Sequence, residues 1–353
     1  RSRPSKRLLD LMINSIYTHK EIFLCEIISN ASDAIDKLSY RSLTDDTVGM
    51  NREDFRIFIT ADNEARTLTV SDNGIGMTRD ELEQNLGVIA KSGSMAFKAE
   101  HAGEENSAAD TDIIGQFGVG FYSAFMVSDK VTVISKAFGS DTAYKWESEG
   151  ADGYTVTECE KDGVGTDVIM HIKPDDDNER YGDYLQAWKI MRLVKKYSDY
   201  IRWPIQMDVE RPEMKETGEK NDDGSPKYET VTTVERETIN SQIPIWQRSK
   251  SEVSDEDCMN FYKEHWHDTT DPACVIRINA EGQVSYKALL FIPGRQLLDY
   301  MTSSYEPGLE LYSSGVMIME HCADVLAESF YFVRGIVDSP DLSLNISREM
   351  LQH

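Results

Sequence analysis

The stretch IFLCEIISNASDAIDKL, residues 22–38, decides how the chain folds. At about 100° per residue, Phe23, Leu24, Ile27, Ile28, Ala31, Ala34, Ile35 and Leu38 fall within one apolar arc, which predicts a helix packed on a core. Glu26, Asn30, Asp33 and Lys37 form a second stripe on the shoulder of that arc. A shoulder position sets a carboxylate and a carboxamide one turn apart at the rim of the core, as a wall for a site. The same stripe also reads as a half-solvated face with an Asp33–Lys37 pair. The helix alone leaves both readings open.

Before it, RLLDLMINSIYTH (7–19) has helical spacing. After it, FRIFIT (55–60) and TLTVS (67–71) alternate as strands. The second runs into Asp72-Asn73-Gly74-Ile75-Gly76-Met77, and Thr78 with Glu81 makes a capping box for a short helix. Residues 88–114 are rich in Ser, Ala, Gly and Glu, as expected of a mobile segment. GQFGVGFYSAFMVS (115–128) is a glycine-rich turn feeding a helix. Runs at 131–138, 142–149, 154–159 and 166–172 read as an antiparallel set, 179–200 as a helix and 202–209 as a strand. Residues 210–227 hold ten charged residues of eighteen and read as a solvated linker or long loop. Beyond it come strand 228–239, helix 254–266, strands 274–278, 284–292 and 309–319, a short helix near 323–328 and strand 330–337, an alternation that predicts a second α/β domain.

Composition narrows the function. A net charge of −25 argues against binding nucleic acid through its phosphates. Cys25, Cys159, Cys258, Cys274 and Cys322 are odd in number, widely spaced and free of CxxC, which points to a reducing compartment. No apolar run approaches the ~20 residues of a membrane span. The chain opens on Arg1 and stops at LNISREMLQH without a cap, which reads as trimmed at the start and truncated at the end.

In DNGIGM a carboxylate at a strand end meets two glycines that let backbone approach a flat ligand, and Asp72 is placed to accept from an exocyclic amine. Asp-Asn-Gly is also turn chemistry in its own right. Gly115, Gly118 and Gly120 lead into a helix, where free N–H groups and the helix dipole suit phosphate oxygens. The spacing is neither a Rossmann fingerprint nor a Walker loop.

Order and company carry more than either motif. Glu-x-x-x-Asn on a helix, Asp-x-Gly-x-Gly after a strand, Gly-x-x-Gly-x-Gly at a helix start and Gly165-Thr166 opening a strand make a series that resembles the GHKL ATPases. IFLCEIISNASDAIDKL, SDNGIGMT, GVIAKSGS, IIGQFGVGFYSAFMVSDKV and DLSLNISREMLQ resemble, within that superfamily, the bacterial heat-shock protein 90 chaperones across essentially the whole chain.

That resemblance implies an α+β fold: a GHKL (Bergerat) α/β sandwich over 1–209 with an ATP lid at about 87–117, a charged linker at 210–227, and the first part of an α/β middle domain over 228–353. It implies a weak, cytoplasmic ATPase that closes around unfolded or partly folded client proteins, with ATP/ADP and Mg²⁺ as cofactors. By resemblance, Glu26 is the general base and Asn30 the Mg²⁺ ligand. Asp72 binds the adenine amine with Thr166 and Gly76, Met77, Leu86 and Phe121 line the pocket, and Asn85 lies near ribose and phosphates. Asp33 supports the pocket edge, Lys91 and Ser92 belong to the lid, and Gly115, Gln116, Phe117, Gly118, Val119, Gly120 and Phe121 supply phosphate donors. Arg348 reaches the γ-phosphate, with Asn345 and Gln352 in the same catalytic loop. Trp246 resembles an exposed aromatic used for clients, against plain packing beside Pro244.

Three positions depart from the family. RSRPSK replaces the usual first strand, Cys25 stands where most members carry Arg, and Ser313-Ser314 stands where many have a basic pair. The C-terminal dimerisation domain is absent, so the resemblance implies a homodimer at full length and a monomeric fragment. The competing readings are a GHKL DNA enzyme of the gyrase B or MutL type, which the acidic charge opposes, and a nucleotide sensor without turnover, which the Arg348 loop opposes.

Overall fold

The computed structural model describes residues 19–87, 119–150, 153–220, 224–282, 284–296, 300, 302, 304–313 and 315–340. Helix α1 (Ile22–Ser42) is 21 residues long and starts from Glu21 without a side-chain cap. Burial holds it instead. Phe23, Leu24, Ile27, Ile28, Ile35 and Leu38 are at most 1 % exposed, each contributing about 1.5–3 kcal/mol as an upper bound.

These side chains pack on an eight-stranded sheet. Its strands are β1 (Ile57–Asp62), β2 (Thr67–Asp72), β3 (Ser128–Lys136), β4 (Ala143–Ser148), β5 (Tyr154–Cys159), β6 (Gly165–Ile172), β7 (Ile205–Lys220) and β8 (Pro226–Thr238), in spatial order β5-β4-β3-β6-β2-β1-β7-β8. The β3–β6 group is antiparallel throughout, as its alternation predicts. Among the described residues of this sheet, only β1 and β7 pair in parallel, Ile57 against Ile205. Helix α2 (79–87) and the short α3 (Val119–Tyr122) flank α1, and α4 (Ala187–Tyr197) follows β6. The helix expected over 179–200 is shorter, because a 3-10 turn at Tyr181–Leu185 precedes α4.

Residues 210–227 differ more from expectation. They do not form an irregular loop: β7 continues to Lys220 and pairs with β8 from Gln206↔Thr238 to Lys220↔Pro226. Their exposure is as expected, since every residue from Glu210 to Glu216 is exposed. Charge density predicted solvation correctly, but a strand exposed on both faces carries no apolar alternation to read.

The second sheet runs β12-β11-β13-β10-β9, with β9 (Cys274–Ala280), β10 (Tyr286–Ile292), β11 (Leu309–Ser313), β12 (Val316–Cys322) and β13 (Arg334–Asp338). The run 309–319 is therefore two antiparallel strands, turned at Gly315 with φ +82°. Instead of a helix near 323–328 there are 3-10 turns at Ala323–Val325 and Glu328–Phe330. Helix α5 (Asp255–His265) covers this sheet behind a Ser254–Asp257 capping box. Trp246 is in the second core, 7 % exposed, and its indole N–H donates to Asp338 at 2.9 Å. The exposed-aromatic reading of Trp246 is thus overturned in favour of packing.

The two cores meet at the end of α4. The Tyr200 ring lies 4.7 Å from that of Trp246, and Lys196 pairs with Glu320 at 3.2 Å. Gly315 seats directly on the Tyr200 carbonyl, where any side chain would overlap it.

Candidate functional site

The shoulder stripe of α1 faces a cavity of about 610 Å³. Asn30, Asp33 and Lys37 line one wall, and Asp72 and Thr166 lie at adjoining strand positions on another. Met77, Asn85, Leu86 and Phe121 contribute from the DNGIGM loop, α2 and α3, with Gly76 beside Met77. The stripe is solvent-exposed at Asn30, Asp33 and Lys37 and borders the cavity there, and no Asp33–Lys37 salt bridge forms among the described residues.

The loop after β2 is held from both sides. Ile75 N–H donates to the Ala34 carbonyl of α1 at 3.0 Å, and Phe138 N–H donates to the Ile75 carbonyl at 2.8 Å. A side chain at Gly74 would overlap the α1 backbone at Ala34, and one at Gly76, φ +67°, would overlap the Lys136 carbonyl. These two glycines are needed for close approach, as glycine alone permits. Asn73 ties the turn outward, accepting from Arg56 N–H at 2.9 Å and donating to the Asp54 carbonyl at 2.7 Å.

Asp72 is 8 % exposed, and its Oδ1 accepts from Gly74 N–H at 2.8 Å. The carboxylate that closes the turn thus also lines the cavity. Burial pushes its carboxyl up to about 7, with the Asp167 charge adding to the rise; backbone N–H bonds from Gly74 and Thr166 and the Lys161 charge oppose it. A buried carboxylate with spare acceptor capacity suits a ligand that donates hydrogen bonds. Next to it, Ser135 Oγ lies 2.8 Å from Thr166 Oγ1 and accepts from Met77 N–H at 2.8 Å.

At the other end of α1's stripe, Glu26 is half-buried and packs against Gly120, where a methyl group would overlap its carboxylate. Glu26 is not among the residues that line the cavity. It stands one turn before Asn30, which is exposed and does line it. Phe121 stands edge-on to Trp146 at 5.5 Å, and Tyr122 Oη donates to the Leu86 carbonyl at 2.5 Å, joining α3 to α2. The Asp33 carboxyl is held above the usual range by desolvation first and by Asp36 second, against Lys37 and Arg202. Cys25 is a packing residue: burial drives its thiol up to about 12, which leaves it unreactive.

The described residues hold no cluster of three metal-ligating side chains. A lone carboxamide still fits Mg²⁺, which keeps several waters and is bound chiefly through substrate phosphates. Lys91, Ser92, Gly115, Gln116, Phe117, Gly118, Asn345, Arg348 and Gln352 lie outside the described residues, as does the side chain of Val119. Val133, Val168 and Phe138 also line the cavity and were not singled out from sequence. The valines are on β3 and β6, where inward alternation marks them only as core.

Comparison with known proteins agrees with this geometry. The family model described as histidine kinase-, DNA gyrase B- and HSP90-like ATPase matches residues 17–166, and that of the Hsp90 protein matches 183–353. Chaperone protein HtpG of Bacillus subtilis (strain 168) is 56% identical over 349 residues, covering 99% of this chain and 54% of that protein. HtpG of Natranaerobius thermophilus is 57% identical over 348 residues, with the same coverage of each, and that of Clostridium perfringens is 55% identical over 349. The chain spans about half the length of these relatives. Two adjoining family models, an α+β architecture of two sheets and a cavity walled by the helix and glycine motifs together place the chain in the Hsp90 family.

Proposed function

We propose that the chain binds ATP in the 610 Å³ cavity and hydrolyses it slowly, as the nucleotide-driven part of a cytoplasmic molecular chaperone that closes around unfolded or partly folded proteins. The observation that carries this reading is Asp72, a buried acceptor at one end of a cavity whose other wall carries Asn30, one turn beyond Glu26. The adenine amine donates to Asp72, and the Thr166–Ser135 hydroxyl pair takes the neighbouring ring positions through water. The ribose passes Asn85, and the phosphates run toward Asn30 and the start of α3.

Asn30 would hold Mg²⁺, which when bound neutralises phosphate charge. Glu26 orients the attacking water and accepts its proton, and Gly120 leaves the room its carboxylate occupies. Lys91, Ser92 and the 115–118 backbone bind phosphate from the lid side, and Arg348 and Gln352 complete the charge neutralisation from the second domain. Catalysis by positioning and electrostatics is what phosphoryl transfer requires. The match to HtpG chaperones supports this reading, and the DNA-enzyme alternative finds no support there.

Dimerisation, by this proposal, belongs to the longer protein and client contact to its assembled form. The direct test is calorimetry of ATP with and without Mg²⁺ on the chain and on Asp72→Asn. Unchanged affinity in the variant removes Asp72 from the base site and the proposal with it.

A further inference from the structure

Beyond Met207, where β1 stops pairing with it, β7 continues with β8 as a ribbon of two strands. Nearly all of that ribbon is exposed. Two strands without a covered face are marginal in water, and a third strand is what stabilises such a unit. Its two free edges differ. Pro212 stands mid-strand in β7, opposite Thr232. Proline is tolerated in a ladder only where its nitrogen faces away from the partner, so it removes a donor from the outer edge of β7. β8 has proline only at its first position and otherwise offers a 13-residue edge.

The two faces of β8 also differ. Tyr228 and Val234 share one face and are 52% and 63% exposed. Glu229 and Glu235 share the opposite face, Glu229 across the ribbon from Lys215 and Glu235 within the field of Arg211. Residues 205–238 carry ten acidic and five basic side chains. Cations of the ribbon are already taken up within it, Arg211 by Glu237 and Arg236 by Asp208. An added strand beside β8 would therefore meet Tyr228 and Val234 on one side and the carboxylates of Glu229 and Glu235 on the other.

We propose that the free edge of β8 docks an extended, unfolded polypeptide segment in which apolar residues alternate with Lys or Arg, added as the third strand of the β7–β8 ribbon. The proposal rests on the chaperone reading and names where and what kind of segment the chain captures. Main-chain hydrogen bonds supply the affinity and the two faces of β8 supply the selectivity.

The test uses the whole chain and fluorescein-labelled peptides of sequence KVKTKVKTK and EVETEVETE, with anisotropy as the readout. The basic peptide binds about tenfold more tightly than the acidic one, and the preference reverses in the double variant Glu229→Lys, Glu235→Lys. Methylating alternate backbone nitrogens of the basic peptide on the edge facing β8 weakens it about tenfold, because those donors are lost while charge is kept. Hydrogen exchange at 227–236 slows when the peptide binds. Equal binding of the methylated peptide, a preference the double variant does not change, or no binding at about 1 mM peptide overturns the proposal. Retained ATP binding in the same samples shows that the nucleotide reading survives that failure.

Discussion

Gly120 faces the Glu26 carboxylate so closely that a methyl group on its Cα would overlap Oε2. Gly120, the second residue of α3, thus sets where the carboxylate of the proposed general base can stand. Gly120→Ala is expected to push the carboxylate off its position and lower turnover about 100-fold, in line with the sensitivity of catalysis to ~1 Å displacements. ATP affinity should fall far less. Steady-state hydrolysis beside calorimetry checks it, and turnover equal to the parent would separate Gly120 from the base.

Glu26→Ala removes the proposed base and leaves Asn30 in place. Hydrolysis should drop by about 10²–10⁴-fold, with binding retained. A single-turnover experiment with saturating ATP distinguishes lost chemistry from slow release.

Asp72→Asn should weaken ATP by at least about tenfold, since a carboxylate acceptor becomes an amide that mispairs with the adenine amine. Its effect on the empty protein has the opposite sign. Raising a carboxyl from 3.8 to about 7 means that burying the charge costs on the order of 4 kcal/mol above neutral pH. The variant should therefore melt at a temperature equal to or higher than the parent at pH 8. Weaker binding together with a lower melting temperature would indicate collapse of the site instead.

The same carboxyl gives a pH signature. The folded pKa is raised, so the folded state holds the proton more tightly than the unfolded chain. Stability from this group is greatest below about 4 and falls as pH rises from there to about 7. Ligand affinity runs the other way, because the ionised form is the stronger acceptor. Adenosine, which has no phosphate to titrate, should bind more tightly at pH 8 than at pH 6 and release a proton near pH 7. Calorimetry in two buffers of different ionisation enthalpy reads that proton directly, and no buffer dependence would contradict it.

Asp338 accepts from Trp246 Nε1 at 2.9 Å and from Gln247 Nε2 at 2.7 Å while itself 5 % exposed. Asp338→Ala leaves both donors without their acceptor. Loss of about 2–3 kcal/mol is expected, seen as a lower urea midpoint for the second core. An unchanged midpoint would mean that water replaces the carboxylate.

The site was legible where chemistry and spacing coincide. Glu26, Asn30, Asp72 and the glycines around it stood out by type and order, and of these Asn30, Asp72 and Gly76 meet at one cavity while Glu26 stands outside its lining. Gly74 and Gly76 were legible as turn glycines, but not the backbone each one presses against, which is set by α1 and β3. Val133 and Val168 were not legible as site residues, because an inward valine under a ligand has the same pattern as one under a helix. Strands 202–209 and 228–239 were read, but the continuation of β7 through 210–220 was missed because strand alternation records a buried face, and there neither face is covered. Trp246 was ambiguous, since an indole beside Pro244 fits surface or core equally until Asp338 is placed next to it.

The seat of Gly315 on Tyr200 has a mechanical consequence. Sheets joined only through the covalent link at Ile239 and Asn240 could swivel about any axis. Gly315 on the Tyr200 carbonyl, Trp246 against the Tyr200 ring and Lys196 with Glu320 support the second sheet away from that link. Tyr200 follows α4, whose Tyr197 carbonyl lies 4.0 Å from Cys25 Sγ beside Glu26. A side chain introduced at Gly315 would overlap the Tyr200 carbonyl and push the second sheet away from the end of α4, whose other side rests on α1.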